Sequence, residues 1–327
     1  MRTSETIPHI SGPELRQLVP MADAIGAMRT AFGGLTRGEM MQPPRLSFAD
    51  GSQLAMMCRP AVGEQGAVVK IITVRPENPR RGLPLLHAHV LWFDGRTGEV
   101  VASIDGEDLT ALRTGAGSGL ATELLAAPDA AVLAVIGAGR QAFDQAQAVC
   151  AVRPIIEVRV TSRTPPAAEA FAMRLRAEFP QLKVITVATG SQAATGADVV
   201  CCATTAKEPV LSSESIGPGT HVNAIGAYRP DMCELPPELL ERAALIVVDQ
   251  VEAAMDEAGD LIQAVNAGAI TYEGLVELGT LLEGAIHRSA GPTIFKSVGV
   301  AAQDWAVAAM AVERSGAGHV AASRHGR

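Results

Sequence analysis

The stretch Val135-Ile136-Gly137-Ala138-Gly139-Arg140-Gln141-Ala142 constrains this chain more than any other part of it. It follows a short apolar run, Ala131 to Ile136, that reads as a buried strand. It leads into Gln141 to Val152, whose apolar residues recur at helical spacing. A GxGxxA pattern at such a junction has a mechanical meaning. Gly137 permits a tight turn, Gly139 lets a pyrophosphate approach the backbone, and Ala142 lets helix and strand pack closely. The helix start then offers free N–H groups and a positive dipole end to phosphates. The pattern alone is weak, since many glycine turns bind nothing. Between a strand and a helix it predicts a dinucleotide cradle of the Rossmann type.

The sequence around it keeps the rhythm of such a fold. Glu157 to Thr161, Lys183 to Val187, Asp198 to Ala203, His221 to Ile225 and Leu245 to Asp249 read as apolar strands, and Pro166 to Phe179 as a helix. Strands without polar alternation predict a parallel sheet covered on both faces. Leu261 to Ala267 and Tyr272 to Glu283 read as helices, Val300 to Glu313 as a last amphipathic helix, and the tail from Ser315 as frayed. The region before Pro128 differs. A helix over Pro20 to Gly38 precedes five closely spaced strands, Leu46 to Phe48, Leu54 to Cys58, Ala67 to Val74, His87 to Phe93 and Val100 to Ile104. That succession predicts a largely antiparallel or mixed sheet, left through a helix over Thr114 to Leu125.

With 327 residues, 48% hydrophobic and 19% charged, the chain suits two domains with ample apolar surface to bury. A formal net charge of −8 argues against a nucleic-acid surface, though a local arginine pair can still hold a small carboxylate. Five cysteines, at 58, 150, 201, 202 and 233, show no CxxC spacing and read as buried thiols of a reducing compartment. The first residues carry no apolar signal stretch, and no run approaches the roughly 20 apolar residues that span a bilayer. The expectation is a cytoplasmic protein with no membrane partner. His87 and His89 alternate on one strand without a third ligand and read as a sheet face, and no HExxH or P-loop is present. No metal is expected.

At the end of the second Rossmann strand stand Thr161-Ser162-Arg163-Thr164. An NAD-preferring fold usually has a carboxylate there, accepting from the ribose 2′-OH. A hydroxyl and a guanidinium favour a 2′-phosphate instead. NADP(H) is therefore expected over NAD(H), with a solvated loop cation as the bland reading of Arg163.

In the N-terminal part, Arg45 follows Gln42-Pro43-Pro44, Lys70 interrupts the apolar strand Ala67 to Ile72, and Arg113 ends Leu109-Thr110-Ala111-Leu112. A lysine in such a strand is costly unless paired or functional. Any one of the three alone reads as a snorkelling or salt-bridged side chain. Together they sit in segments that resemble the ornithine cyclodeaminase/mu-crystallin family. The marks are QPPR (Gln42 to Arg45), VVK (Val68 to Lys70), DGEDLTALRTGAGSG (Asp105 to Gly119), GAGRQA, NAIGAYRPDMCEL (Asn223 to Leu235), DEAGD (Asp256 to Asp260) and FKSVGVAAQD (Phe295 to Asp304).

The resemblance implies an α/β architecture in which a Rossmann doubly wound parallel sheet, residues 119–299, is inserted into an α+β substrate and dimerisation domain, residues 1–118 plus 300–327. It implies a homodimer and a small imino- or amino-acid substrate. By motif, Arg45 and Arg113 would bind a substrate carboxylate, and Lys70 would touch the carboxylate or imine and relay a proton. Thr114, Arg140 and Gln141 would meet cofactor phosphates, and Ser162, Arg163 and Thr164 the ribose. His89, Thr204 and Ser297 would lie beside the cofactor, the last two at the nicotinamide end. Glu257 would lie near the substrate, or simply cap a helix.

One departure separates activities within the family. Cyclodeaminases share a GGDCPGKTEL segment whose Asp is thought to handle the substrate amine or water. Here the matching stretch is Gly226-Ala227-Tyr228-Arg229-Pro230-Asp231-Met232-Cys233-Glu234-Leu235, with Tyr228 at the Asp position. A phenol with an ordinary pKa of about 10 is a poor base at neutral pH, though Tyr228 can still hydrogen-bond a substrate. The expectation is an NAD(P)H-dependent reductase of a carboxylate-bearing imine, of the Δ1-pyrroline-2-carboxylate or Δ1-piperideine-2-carboxylate type, in the ketimine-reductase branch. The rivals are an NAD-dependent cyclodeaminase or deaminating dehydrogenase, and a non-catalytic mu-crystallin-like binding protein.

Overall fold

A computed structural model describes residues 6–49, 54–284 and 290–317. The tail expected to fray lies, past Ala317, outside these residues. The chain forms two compact units that part after Arg113 and again after Gly299.

The first unit holds a six-stranded sheet with helices α1 (Gly12–Leu18), α2 (Met21–Thr36) and the chain's last helix, α10 (Ala301–Ser315). Its strands are β1 (His9–Ile10), β2 (Leu46–Ala49), β3 (Ala55–Gly63), β4 (Gly66–Val74), β5 (Leu86–Asp94) and β6 (Val100–Asp105), in the order β1-β6-β5-β4-β3-β2. All pairings are antiparallel except β1 with β6, so the sheet is mixed. One face is dry. Val68, Val90, Trp92, Ala102 and Ile104 are buried there, and α10 packs against β3, β4 and α2. Trp305 of α10 meets Trp92 with ring centroids 5.5 Å apart and donates its indole N–H to the Gly66 carbonyl at 2.9 Å. Helix α10 is buried over nearly its whole length, so it is a core helix rather than an amphipathic surface one.

Helix α3 (Gly106–Leu125) starts eight residues before its expected Thr114. Asp105 explains the early start: its Oδ1 accepts from the N–H groups of Glu107 at 3.0 Å and Asp108 at 2.8 Å, satisfying donors a helix start leaves open. Gly115 within α3 serves packing. A Cβ on Gly115 would stand 2.5 Å from the Asp144 carbonyl oxygen.

The second unit is an eight-stranded, wholly parallel sheet. Its strands are β7 (Val132–Ile136), β8 (Glu157–Thr161), β9 (Lys183–Thr186), β10 (Val199–Cys202), β11 (His221–Ala224), β12 (Leu245–Val248), β13 (Leu275–Glu277) and β14 (Thr293–Lys296). Helices α4 (Arg140–Val152), α5 (Pro165–Glu178), α6 (Gly190–Ala194), α7 (Pro237–Glu241), α8 (Val251–Glu257) and α9 (Gly259–Asn266) connect them. The strand order is β13-β12-β14-β11-β10-β7-β8-β9. Strands β7 and β10 send alternate residues to opposite cores: Leu133, Val135 and Cys201 to one, Ala134, Ile136 and Cys202 to the other. That is why these strands carry no polar alternation. The chain winds outward from β7 through β8 to β9, then returns to β10 on the other side. The crevice at the carboxyl ends of β7 and β10 is therefore the topological switch point, where open α/β sheets bind ligands.

Two expectations fail here. Tyr272 to Glu283 is not a helix. It is a 3-10 turn (Tyr272–Gly274), the edge strand β13 and a second 3-10 turn (Thr280–Leu282). Gly274 and Gly279 cut the apolar run to strand length, and a short apolar run fits either structure. The central strand β14 went unmarked because Lys296 breaks its apolar pattern.

Candidate active site

In the first unit, three charged side chains meet beneath the sheet. Lys70 enters from β4, Arg113 from α3 and Asp304 from α10, with 1%, 4% and 0% of their surfaces exposed. Lys70 Nζ lies 2.8 Å from Asp304 Oδ1 and Arg113 Nε lies 3.1 Å from the same oxygen. Two buried cations thus lean on one carboxylate oxygen, while Asp304 Oδ2, also buried, accepts no hydrogen bond among the described residues. Lys70 also donates to Thr110 Oγ1 at 3.2 Å. Arg113 is aimed by Gln303, whose Oε1 accepts from Arg113 Nη1 at 2.8 Å and from the Val300 N–H at 3.0 Å.

Burial strips water from the Lys70 ammonium and pulls its pKa down to about 8. Asp304 opposes that fall, while Arg113 and Arg45 add to it. Arg45 stands half-buried just before β2, its Nη1 3.9 Å from the Met57 sulfur, close enough for its charge to be felt at Lys70. Gln42 of the same segment accepts from the Ala302 N–H at 2.9 Å, tying QPPR to the start of α10.

His89 does not join this group. Lys70 pairs in register with Val90, and His89 with Ile71, so His89 belongs to the opposite face of the sheet, where it is exposed. Its ring lies 6.4 Å from that of His9.

In the second unit, the Gly137 turn leaves the carboxyl end of β7 with φ +109°, which favours glycine, and a Cβ there would stand 2.5 Å from the Ala203 carbonyl oxygen. Gly139 is the residue before α4, with open space where its Cβ would be and no side chain capping the helix. The N-terminal end of α4, with no side-chain cap, and this open approach fit a dinucleotide pyrophosphate. Arg140 is exposed and Gln141 half-buried in the first turn of α4. Ser162, Arg163 and Thr164 form the turn between β8 and α5, with Arg163 and Thr164 exposed and Arg163 in no ion pair among the described residues. Thr114 is buried on α3, and Glu257 ends α8, half-buried.

Two residues expected near the nicotinamide have engaged side chains. Thr204, just past β10, donates its hydroxyl to Glu234 Oε1 at 2.8 Å. Ser297, just past β14, donates its hydroxyl to Asp249 Oδ2 at 2.8 Å. Tyr228 is 38% exposed in the loop after β11. Asp231, three residues further along that loop, is bound at the surface by Lys207 at 2.9 Å and Arg229 at 3.1 Å, and so does not replace the Asp missing at position 228.

Sequence reasoning placed Asp304 and Lys296 in a family motif without deriving a role for either, and singled out none of Gln303, Glu234 and Asp260. Asp304 had a signal: with Gln303 it is one of two polar residues in the otherwise apolar run Ala301 to Ala309.

A mixed sheet that buries two cations on one carboxylate, in a chain that also holds a dinucleotide-type parallel sheet, defines a nicotinamide-dependent class of protein acting on small carboxylates. The ornithine cyclodeaminase/mu-crystallin family profile matches residues 12–319, and the chain belongs to that family. It is 37% identical over 317 residues to a Δ1-pyrroline-2-carboxylate reductase of Bacillus cereus, covering 94% of this chain and 96% of that one. It is 36% identical over 271 residues to the ketimine reductase mu-crystallin of Mus musculus, covering 82% and 83%. Among solved structures, the Thermococcus litoralis Δ1-pyrroline-2-carboxylate reductase in complex with NADH and L-proline superposes with a TM-score of 0.88 at 33% identity, covering 94% of this chain and 97% of that one. An archaeal alanine dehydrogenase dimer with bound NAD gives 0.86 at 31% identity, covering 94% and 95%. Among the described residues no helix is long and apolar enough to cross a membrane.

Proposed function

We propose that this chain is a cytoplasmic, homodimeric, NAD(P)H-dependent reductase of a small cyclic imine bearing a carboxylate, with Δ1-pyrroline-2-carboxylate and Δ1-piperideine-2-carboxylate as its substrate class. The observation that carries the reading is the Lys70–Arg113–Asp304 group. It buries two cations against one carboxylate, with Arg45 nearby, and a bound carboxylate balances that excess. The names of the relatives point the same way.

In this reading residues 1–118 with 300–327 bind substrate and the partner copy, and residues 119–299 bind the cofactor. Arg45 and Arg113 fix the substrate carboxylate, which holds the C=N bond in one orientation. Lys70, protonated, gives its proton to the imine nitrogen and is recharged from solvent. A pKa of about 8 keeps it charged at neutral pH yet ready to release. Tyr228 and Glu257 border the substrate. Gly137, Gly139, Arg140, Gln141 and Thr114 hold the cofactor phosphates, and His89, Thr204 and Ser297 are assigned to positions beside the cofactor, the last two at its nicotinamide end. When bound, the reduced nicotinamide supplies the hydride that the imine carbon accepts. Ser162, Arg163 and Thr164 favour the 2′-phosphate of NADP(H), with NAD(H) as the alternative. Exposed Leu46, Phe48, Met41 and Val62, on and beside edge strand β2, support a second copy as partner.

The test mixes the protein with NADPH or NADH and each imine and follows absorbance of the reduced cofactor. Turnover with at least one ring size is expected. No turnover with either, across pH 6 to 9, would falsify the reading.

A further inference from the structure

Helix α10 delivers two adjacent polar residues, Gln303 and Asp304, into a run that is otherwise apolar and fully buried. Neither lies near its partners in sequence: 234 residues separate Lys70 from Asp304, and 190 separate Arg113 from Gln303. Buried polar groups at such a place persist only where their partners satisfy them. Here the satisfaction is partial and directional: Gln303 Oε1 and Asp304 Oδ1 are engaged, while Gln303 Nε2 and Asp304 Oδ2 have no hydrogen-bond partner among the described residues. The Gln303 amide oxygen has two donors, the Val300 N–H and Arg113 Nη1, which fixes both the amide orientation and the guanidinium plane. Asp304 Oδ1 accepts a hydrogen bond from Lys70 Nζ at 2.8 Å and lies 3.1 Å from Arg113 Nε as an ion-pair contact. Trp305, the next residue, anchors the helix through its bond to the Gly66 carbonyl at the start of β4, the strand that carries Lys70.

We infer that Gln303 and Asp304 are positioning residues for the proposed reduction: Asp304 keeps Lys70 charged and aimed, and Gln303 holds the Arg113 fork in the plane that grips a carboxylate. The inference rests on the imine-reductase reading and adds to it two residues that work through others.

The groups around Lys70 settle what removing Asp304 does. Thr110 and Arg113 face it from α3, and Arg59 is its register partner on β3. The charge of Arg45 reaches it from the segment before β2, and Asp304 faces it from α10. All the charged ones but Asp304 are cations. Asp304→Asn therefore leaves a dehydrated ammonium among guanidiniums, and its proton is lost at lower pH.

The chain has four lysines, at 70, 183, 207 and 296, so carbon-13 labelling at Cε gives four signals, with Lys70 assigned by Lys70→Arg. In the wild type the Lys70 signal titrates near pH 8. In Asp304→Asn its midpoint falls by about one pH unit or more. The alkaline limb of kcat moves with it, and kcat drops more than KM rises. Asp304→Glu keeps the charge and displaces it, so the midpoint stays near the wild-type value while kcat falls about tenfold or more. Gln303→Leu raises KM for the imine about tenfold and leaves the limb where it was. An unmoved Lys70 midpoint in folded Asp304→Asn overturns the inference. If that variant does not fold, wild-type kcat in Asp304→Glu overturns it instead. The NMR titration needs no substrate, so a wild type that reduces neither imine overturns the functional reading separately.

Discussion

Each unit buries a cluster of charge, and the two are built in opposite senses. In the first, Lys70 and Arg113 share Asp304, and one oxygen of that carboxylate accepts no hydrogen bond among the described residues. In the second, two carboxylates gather around one lysine. Lys296 Nζ lies 2.6 Å from Asp260 Oδ2, and Asp260 Oδ1 accepts the N–H groups of Glu234 and, at 3.0 Å, Leu235. Glu234 in turn accepts from the N–H groups of Thr204 at 2.6 Å, Gly226 at 2.7 Å and Ala227 at 3.2 Å. Burial still raises the Glu234 pKa above the ordinary carboxylate range. The Lys296 cluster spends Asp260 Oδ1 and both Glu234 oxygens on backbone N–H groups of the loops after β10 and β11, while Asp260 Oδ2, like Asp304 Oδ2, accepts no hydrogen bond among the described residues. The Lys70 cluster keeps positive charge in excess. Burial alone does not mark a reactive group; the balance of donors and acceptors around it does.

The comparison breaks most visibly in activity. Lys70→Met should lower kcat/KM by about 10²–10⁴-fold in steady-state kinetics, because it removes the proposed proton donor while Arg113 still neutralises Asp304. Lys296→Met should act on stability instead. It strands Asp260 and Glu234 in the core and should cost about 3–5 kcal/mol in urea unfolding. A Lys296→Met protein as stable as wild type would erase the distinction between the clusters.

The pH dependence of stability sharpens it further. The folded-state pKa of Lys70, about 8, lies below its ordinary 10.5, so the unfolded chain binds more protons between those values. The penalty for keeping Lys70 charged is present in full below pH 8 and is relieved as pH rises toward 10.5. The stability of wild type relative to Lys70→Met should thus climb by about 3 kcal/mol across that window in paired denaturant titrations. A smaller effect belongs to the cofactor end. Arg163→Glu should shift the NADPH-to-NADH ratio of kcat/KM toward NADH by on the order of tenfold. Smallest of all, Cys201, pushed up to about 12 by burial, and its buried neighbour Cys202 should resist thiol reagents in the native protein, with half-buried Cys58 labelling first.

Much of the second unit was legible in the sequence because its signals are local. A glycine pattern after an apolar strand, and strands apolar on both faces, need no knowledge of what lies far along the chain. Lys70 and Arg113 were legible as charges out of keeping with their surroundings. Their shared counter-ion was not, because Asp304 reaches them only through the packing of α10 on β3 and β4, which no local spacing encodes. Strand β14 was hidden by Lys296 for the same reason: the lysine is neutralised by Asp260, a distant residue of α9. The orientation of His89 away from Lys70 follows from register alone and could have been read from strand alternation once β4 and β5 were paired.

The return of α10 to the first unit also bears on synthesis at the ribosome. Residues 114–299 form a continuous stretch that can close its parallel sheet before translation ends. The β3–β6 hairpins emerge earlier, yet they wait for the final segment to bring both the apolar cover of their inner face and the negative charge that quenches Lys70 and Arg113. Chains stalled or clipped ahead of residue 301 would expose a wet, cationic sheet face, a ready mark for quality control.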